Sequence, residues 1–275
     1  MSKKKLLKKF LPYFIKSFVI NTIWNLKDKN YCFIYNLISR LLFHNKNYLT
    51  HDNKRFILKE KNFKWSFSYK TRGLYYLNGI LERGKQLHRI YLIEDIKFNK
   101  DDIVIDIGAN IGDFYLGFEQ KIKYYAYEPS PIVFSSLEYN LKNQNLYNLG
   151  LSNTEGNKID FFLKDESGDS SILPIKNFTK KITIGTTTLD KEIAKIQQKI
   201  KLIKLEAEGF EPEILQGLKK YLNYVEYIVI DCGFERGLNQ ESTIAECSNY
   251  LIKKNFKMIN FNARPRIVTL FKKIN

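Results

Sequence analysis

The spacing of apolar residues changes along the chain, and each change predicts a different element. Residues 1–45 carry apolar positions at helical spacing and predict two helices with a break near 25–31. Phe33, Tyr35, Leu37, Ile38, Leu41 and Leu42 give the second its apolar face. Over 55–70 the period drops to two. Phe56 and Leu58, then Trp65, Phe67 and Tyr69, alternate with polar residues around Lys61 and Asn62, the pattern of a β-hairpin. Helical spacing returns over 73–90.

From 101 onward short apolar runs and helical stretches alternate. Ile103–Ile105 is wholly apolar, as a strand buried on both faces should be, and a helix is expected from about Ile111. Strands follow at Tyr124–Tyr127, Leu146–Leu151, Leu202–Leu205 and Tyr227–Ile230. Ser130 and Pro131 form an N-cap and a first helical residue, with Val133, Leu137 and Leu141 on one face. Ile159–Leu163 and Ile182–Thr187 read as inserted strands, Pro212 as a helix start, and 242–254 as a helix. Lys257–Phe261 and Ile267–Phe271, joined by a turn containing Pro265, read as a closing antiparallel hairpin. Alternating strands and helices fold as a parallel sheet with right-handed crossovers. The expectation is an α/β, Rossmann-like domain over 71–275 with a seven-stranded, mostly parallel sheet, preceded by a basic helical and β-hairpin extension over 1–70.

Composition fits a folded chain: 44% of the 275 residues are hydrophobic and 27% are charged. Charge adds something the pattern lacks. The net charge is +16, and more than half of the excess lies in the first 60 residues. Such a patch attracts anionic surfaces: lipid headgroups, acidic glycans or nucleic acid. The run Phe10–Ile20 is interrupted by Lys16 and followed by no small-residue cleavage site, so neither a secretory signal nor a spanning helix is expected. A basic amphipathic helix over 3–25, lying on an anionic membrane, fits better. The expected location is cytoplasmic and peripheral at the inner membrane surface, with residues 1–45 as the contact. Cys32, Cys232 and Cys247 have no CxxC or metal-ligand spacing, and His44, His51 and His88 form no ligand cluster.

The candidate chemistry begins at Asp106-Ile107-Gly108-Ala109-Asn110-Ile111-Gly112, directly after the first apolar strand. Gly108 and Gly112 allow a tight turn and close approach of backbone to a ligand, in the crevice where an open α/β sheet binds. Asp106 precedes the first glycine, where a carboxylate suits an amino-acid ammonium and not a pyrophosphate. Glu128 ends the next strand, 22 residues on, where a carboxylate grips two ribose hydroxyls. No basic residue solicits phosphate within the loop. S-adenosylmethionine, with a ribose, an adenine and an ammonium but no phosphate, suits this set better than NAD. Asp106, Gly108, Asn110, Gly112 and Glu128 are its expected contacts, with Ser152 placed near the adenine.

These segments resemble the FkbM family of methyltransferases. The resemblance rests on Val104–Gly112 (VIDIGANIG), Ala126–Pro129 (AYEP), Thr187–Asp190 (TTLD) and Ile203–Glu211 (IKLEAEGFE). It covers roughly 100–235 and does not reach the N-terminal 70 residues. Lys204, Glu208, Gly209 and Glu211 match the family pattern of the last segment, whereas position 206 is Glu where Asp is usual. The resemblance implies a class I methyltransferase fold, for which a closing antiparallel hairpin is the usual ending. It also implies S-adenosylmethionine-dependent O-methylation of hydroxyls, on sugars of surface glycans and nodulation factors and on polyketides.

Methyl transfer to a hydroxyl needs alignment and a base. Glu206, Glu208 and Asp231 are the candidate catalytic residues, at the ends of the fourth and fifth strands. Glu206 and Glu208 share a face if the strand continues that far, and paired carboxylates raise one another's pKa toward that of a neutral-pH base. They are also oxygen ligands for a divalent cation, which is not expected because no histidine accompanies them. Glu211 suits the helix N-terminus at Pro212, and Lys204 neutralises the acidic cluster. Phe234, Glu235 and Arg236 are candidates for contact with a sugar. The expected acceptor is a glycan or sugar hydroxyl. A nucleic-acid methyltransferase is the rival that the charge invites, but no Asn/Asp-Pro-Pro-aromatic or Pro-Cys motif supports it. A membrane-bound scaffold with a degenerate nucleotide fold is the non-enzymatic rival, against which the intact Asp106, Gly108, Gly112 and Glu128 set argues.

Overall fold

The computed structural model describes residues 26–44, 47–164 and 170–274. The helix expected over 3–25 lies outside the described residues. Contacts divide the chain into two units, Met1–Glu82 and Arg83–Asn275.

In the first unit, α1 (Asp28–Phe43) accompanies an antiparallel sheet of β1 (Tyr48–His51), β2 (Phe56–Glu60) and β3 (Phe63–Phe67). The β2–β3 hairpin turns at Lys61-Asn62 as its alternation predicts, with Glu60 opposite Phe63. Strand β1 was not foreseen. Tyr31, Tyr35, Phe56, Phe67 and Tyr76 form a buried aromatic core, with Phe67 stacked between Phe56 and Tyr76 at centroid separations of 5.5 and 5.7 Å. The Tyr31 hydroxyl donates to the Lys70 carbonyl at 2.7 Å.

Helical spacing over 73–90 yields less helix than expected. Gly79, at φ 117°, separates a 3-10 turn from α2 (Ile80–Ile90).

The second unit holds β4 (Ile103–Ile107), β5 (Lys123–Tyr127), β6 (Asn145–Tyr147), β10 (Ile200–Leu205), β11 (Val225–Asp231), β14 (Phe256–Asn262) and β15 (Val268–Lys273) in a seven-stranded sheet ordered β14-β15-β11-β10-β4-β5-β6. Neighbours from β11 to β6 are parallel, and β15 runs antiparallel to both β11 and β14. In chain order the strands stand 3-2-1-4-5-7-6, with the reversal of direction falling between β4 and β10. Crossover helices α3 (Pro131–Asn140), α4 (Leu189–Ile196), α5 (Glu211–Gln216) and α6 (Ile244–Ile252) connect them. The β-branched strand interiors are buried: Ile103, Ile105, Ile203, Ile228 and Ile230 pack with Leu189, Ile193, Ile214 and Leu251 in one core.

Two expectations need correction. The helix from Ile111 is only a 3-10 turn, Asp113–Gly117. Backbone of this turn lies so close to Gly84 of α2 that a Cβ at Gly84 would collide with Leu116 and Gly117, so α2 occupies the space a longer helix would need. The third strand, expected over Leu146–Leu151, splits. β6 stays in the main sheet, whereas β7 (Gly150–Leu151) joins β9 (Lys180–Thr187) and β8 (Lys158–Leu163) in a separate sheet.

Candidate active site

The turn after β4 passes through three left-handed residues: Gly108 at φ 68°, Asn110 at 52° and Gly112 at 92°. The glycines serve close approach, as expected, but of the protein's own chain. A Cβ at Gly108 would strike the Glu206 carbonyl, and one at Gly112 would stand 3.0 Å from Leu137 Cδ1. The amides of Gly108 and Ala109 donate to the Tyr127 carbonyl at 3.0 and 3.1 Å, stitching the turn to the end of β5. There Glu128 is buried. The Asn110 amide donates to its Oε2 at 3.0 Å and the Ser130 amide to its Oε1 at 2.8 Å. Burial, only partly offset by these bonds, pushes its carboxyl up to about 7. Two of the roughly four acceptor positions of a carboxylate are thereby used, leaving capacity for two vicinal hydroxyls.

Asp106 lies beneath this turn at 0% exposure. It accepts the Tyr124 hydroxyl and pairs with Lys204 Nζ at 3.0 Å. A carboxylate inside the sheet needs partners of its own, and these two supply them. Lys204, also buried, bonds Glu206 Oε2 at 2.9 Å and the Gly108 carbonyl at 2.9 Å. Burial opposes its charge, but Asp106 and Glu206 outweigh that and hold the ammonium above its ordinary pKa. It neutralises the cluster as its sequence position suggests.

Glu206 and Asp231 meet at the ends of β10 and β11, bridged by Arg266. The guanidinium contacts Glu206 Oε1 and bonds Asp231 Oδ2 at 2.6 Å. The two carboxylates fare differently. Burial would raise Glu206, but Lys204 and Arg266 more than offset it and hold its carboxyl below the ordinary range. Burial and the Glu206 charge raise Asp231 despite Arg266. The expectation that Glu206 is a base of raised pKa is therefore corrected: a cation stands on each of its oxygens. Nor do Glu206 and Glu208 share a strand face, because β10 ends at Leu205 and Glu208 sits in a turn at φ 50°.

The remaining candidates are placed as follows. Glu211 is buried and accepts the amides of Ala207 and Gly209 at 2.8 and 3.1 Å, tying the turn to the start of α5. Arg236 forks onto Glu213 at 2.7 and 3.0 Å and donates to the Gly209 carbonyl, so its guanidinium is committed to the fold. In β12 (Phe234–Arg236) the register shifts between Phe234 and Arg236, which makes Glu235 the extra residue of a bulge. Ser152 follows β7, not β6. Its amide donates to the Thr187 carbonyl at 2.9 Å, and a Cβ at Gly217 would meet its carbonyl. In the TTLD segment, Thr188 caps α4, and the Asp190 carboxylate accepts the amides of Lys219, Lys220 and Tyr221. Among the described residues, no group of three or more His, Cys, Asp or Glu is arranged to hold a metal ion.

Sequence reasoning missed Arg266. Val268 is opposite Asp231, so the turn before β15 ends beside the fifth strand's carboxylate, a register that only the structure shows.

The strand order, the closing hairpin and a carboxylate at the end of the second strand together define a class I, Rossmann-like methyltransferase domain. The model of the Methyltransferase FkbM domain matches residues 106–258, and the chain belongs to this family of S-adenosylmethionine-dependent methyltransferases. A relative is the hexuronic acid methyltransferase AglP of Haloferax volcanii, 28% identical over 161 residues, which are 54% of this chain and 62% of that protein. The chain thus spans less than two thirds of that relative's length. Among solved structures, magnesium protoporphyrin IX methyltransferase of Synechocystis with bound SAM gives a TM-score of 0.42 at 8% identity, covering 74% of this chain and 83% of that one. M. jannaschii TYW2 in complex with AdoMet gives 0.39 at 17%, covering 82% and 90%.

Proposed function

We propose that the protein is an S-adenosylmethionine-dependent O-methyltransferase acting on a sugar hydroxyl in surface-glycan synthesis, on the cytoplasmic side of the membrane. The observation that carries the cofactor is Glu128, a buried carboxylate held by two backbone amides at the end of β5 with acceptor capacity left for the ribose. No Lys or Arg lies in 106–112 to favour a phosphate. The relative's name, hexuronic acid methyltransferase, supports a sugar as acceptor.

When bound, S-adenosylmethionine supplies a methyl group already activated by its sulfonium. The chain's own residues do the rest. Glu128 takes the ribose hydroxyls, and the 108–112 backbone lines the cofactor. Glu206, held ionised, and Arg266 orient the acceptor, with Asp231 behind them. Alignment of this kind supplies several kcal/mol of the barrier. Lys204 and Arg266 already bring the positive charge that a divalent cation would bring to Glu206 and Asp231.

Calorimetry with S-adenosylmethionine on wild type and Glu128→Gln tests the cofactor half, and transfer of labelled methyl to phenyl β-glucuronide and neutral phenyl hexosides tests the acceptor half. Micromolar binding lost in the variant and a methylated sugar are expected. No binding by folded wild type would overturn the reading.

A basic, apolar helix face supports membrane contact. Phe33, Leu37 and Leu41 are exposed at helical spacing on α1, beside exposed Lys29 and Arg40. Among the described residues no helix is long and apolar enough to cross a membrane. Co-sedimentation with phosphatidylglycerol vesicles should fall in Phe33→Ser/Leu37→Ser/Leu41→Ser, and unchanged pelleting would refute the contact.

A further inference from the structure

Every carboxylate so far described in the cluster is committed. Glu206 is paired to Lys204 and Arg266, Asp231 to Arg266 and the Gly233 amide, and Glu211 to two amides. Glu235 is different. It stands on β12, which with β13 (Glu241–Ser242) forms a two-stranded ribbon just past β11. It makes no hydrogen bond or ion pair with the described residues. Its side chain turns back over Gly233: a Cβ at Gly233 would lie 3.3 Å from Glu235 Oε1 and 3.4 Å from Asp231 Oδ1. Both carboxyls therefore lie beside a position without a side chain. Asp231 is 1% exposed, whereas Glu235 is only half-buried, so Glu235 is the member of the pair that an incoming molecule can touch.

We propose that Glu235 accepts the proton of the acceptor hydroxyl, with the Asp231 carboxylate beside Gly233 as the positioning residue. This rests on the reading of the protein as a methyltransferase of sugar hydroxyls. In the step, the acceptor oxygen bonds to the methyl carbon as the carbon–sulfur bond breaks and its electron pair returns to sulfur. The hydroxyl proton passes to the Glu235 carboxylate and then to water. The groups around Glu235 suit the role. Burial, then the charges of Asp231 and Glu206, push its carboxyl up to about 8, with Glu211 adding to the rise and Arg266 opposing it. A base is most effective near the pH at which it works.

Two measurements test this. Carbon-13 carboxyl NMR of glutamate-labelled protein reads the Glu235 signal, assigned by its loss in Glu235→Gln. It should titrate above pH 7 in wild type and move down toward 4.5 in Asp231→Asn. Methyl transfer to phenyl β-glucuronide reads the chemistry. Glu235→Gln should lower kcat on the order of 100-fold or more and remove the acid limb of the pH profile, the loss of rate below about pH 8, with S-adenosylmethionine binding unchanged. Glu235→Asp should recover part of the rate. A Glu235 signal titrating below 5, or wild-type kcat and pH profile in Glu235→Gln, would overturn the proposal. An alkali-labile product would overturn it too, since a methyl ester comes from a carboxylate acceptor that needs no base, yet it would leave the methyltransferase reading standing. If wild type binds the cofactor and methylates no sugar, the sugar reading fails, and the titration still decides the carboxyl pair.

Discussion

The C-terminal edge of the main sheet treats its carboxylates in two opposite ways. At the end of β5, Glu128 meets only backbone amides, and burial lifts its carboxyl to about 7. At the end of β10, Glu206 meets Lys204 and Arg266 and is held ionised. Both are partly or wholly withdrawn from water, so depth does not separate them; the sign of the neighbouring charge does. A carboxylate held by neutral donors remains open to a ligand's hydroxyls. One held by two cations is a fixed element of the electrostatic frame.

The contrast breaks most severely at Lys204. Lys204→Met should cost about 3–5 kcal/mol of stability, because Asp106 and Glu206 lose their shared cation, and an unchanged urea midpoint would show the ion pairs to be dispensable. Next in size, Glu128→Gln should weaken S-adenosylmethionine binding about 10- to 100-fold, about 1.4–2.8 kcal/mol, while the urea midpoint moves little. Wild-type affinity should rise as pH passes upward through about 7, since only the ionised carboxylate accepts both ribose hydroxyls. A pH-independent affinity in calorimetry would count against that contact. Glu206 gives a smaller effect on the acid side. Its folded pKa is depressed, so its stabilisation is present above the unfolded value of 4.5 and is lost as pH falls toward the folded one. Glu206→Gln should flatten the acid limb of the stability profile by about 1–2 kcal/mol. Glu211→Gln is the mildest change, expected to cost about 1 kcal/mol through its amide bonds with cofactor binding unaffected.

Much of this arrangement is legible in the sequence, for reasons that are local. Ile103–Ile105 announces a buried strand, Gly108 and Gly112 a tight turn, and Ser130-Pro131 a helix start; each depends on a few adjacent residues. The closing hairpin is legible from two apolar runs and the turn between them. What escapes is decided by distant partners. The partners of Asp106, Tyr124 and Lys204, cannot be read from the glycine motif. Glu206 reads as a base until Arg266, 60 positions away, is found on it. The short turn after Gly112 depends on Gly84, and no periodicity near residue 112 records that. The split of the third strand at Tyr147 is likewise set by pairing with β9.

Arg266 has one more consequence, and it concerns how the chain comes together. It precedes the strand that must slot between β11 and β14, while the carboxylates it answers belong to β10 and β11. A folding chain that has assembled its parallel strands without this hairpin would hold Glu206 and Asp231 close together with one cation too few. Such a half-built sheet is penalised by like-charge repulsion as well as by an open edge. Docking of the hairpin relieves both at once, which favours all-or-none assembly of the domain over a stable intermediate that lacks its last two strands.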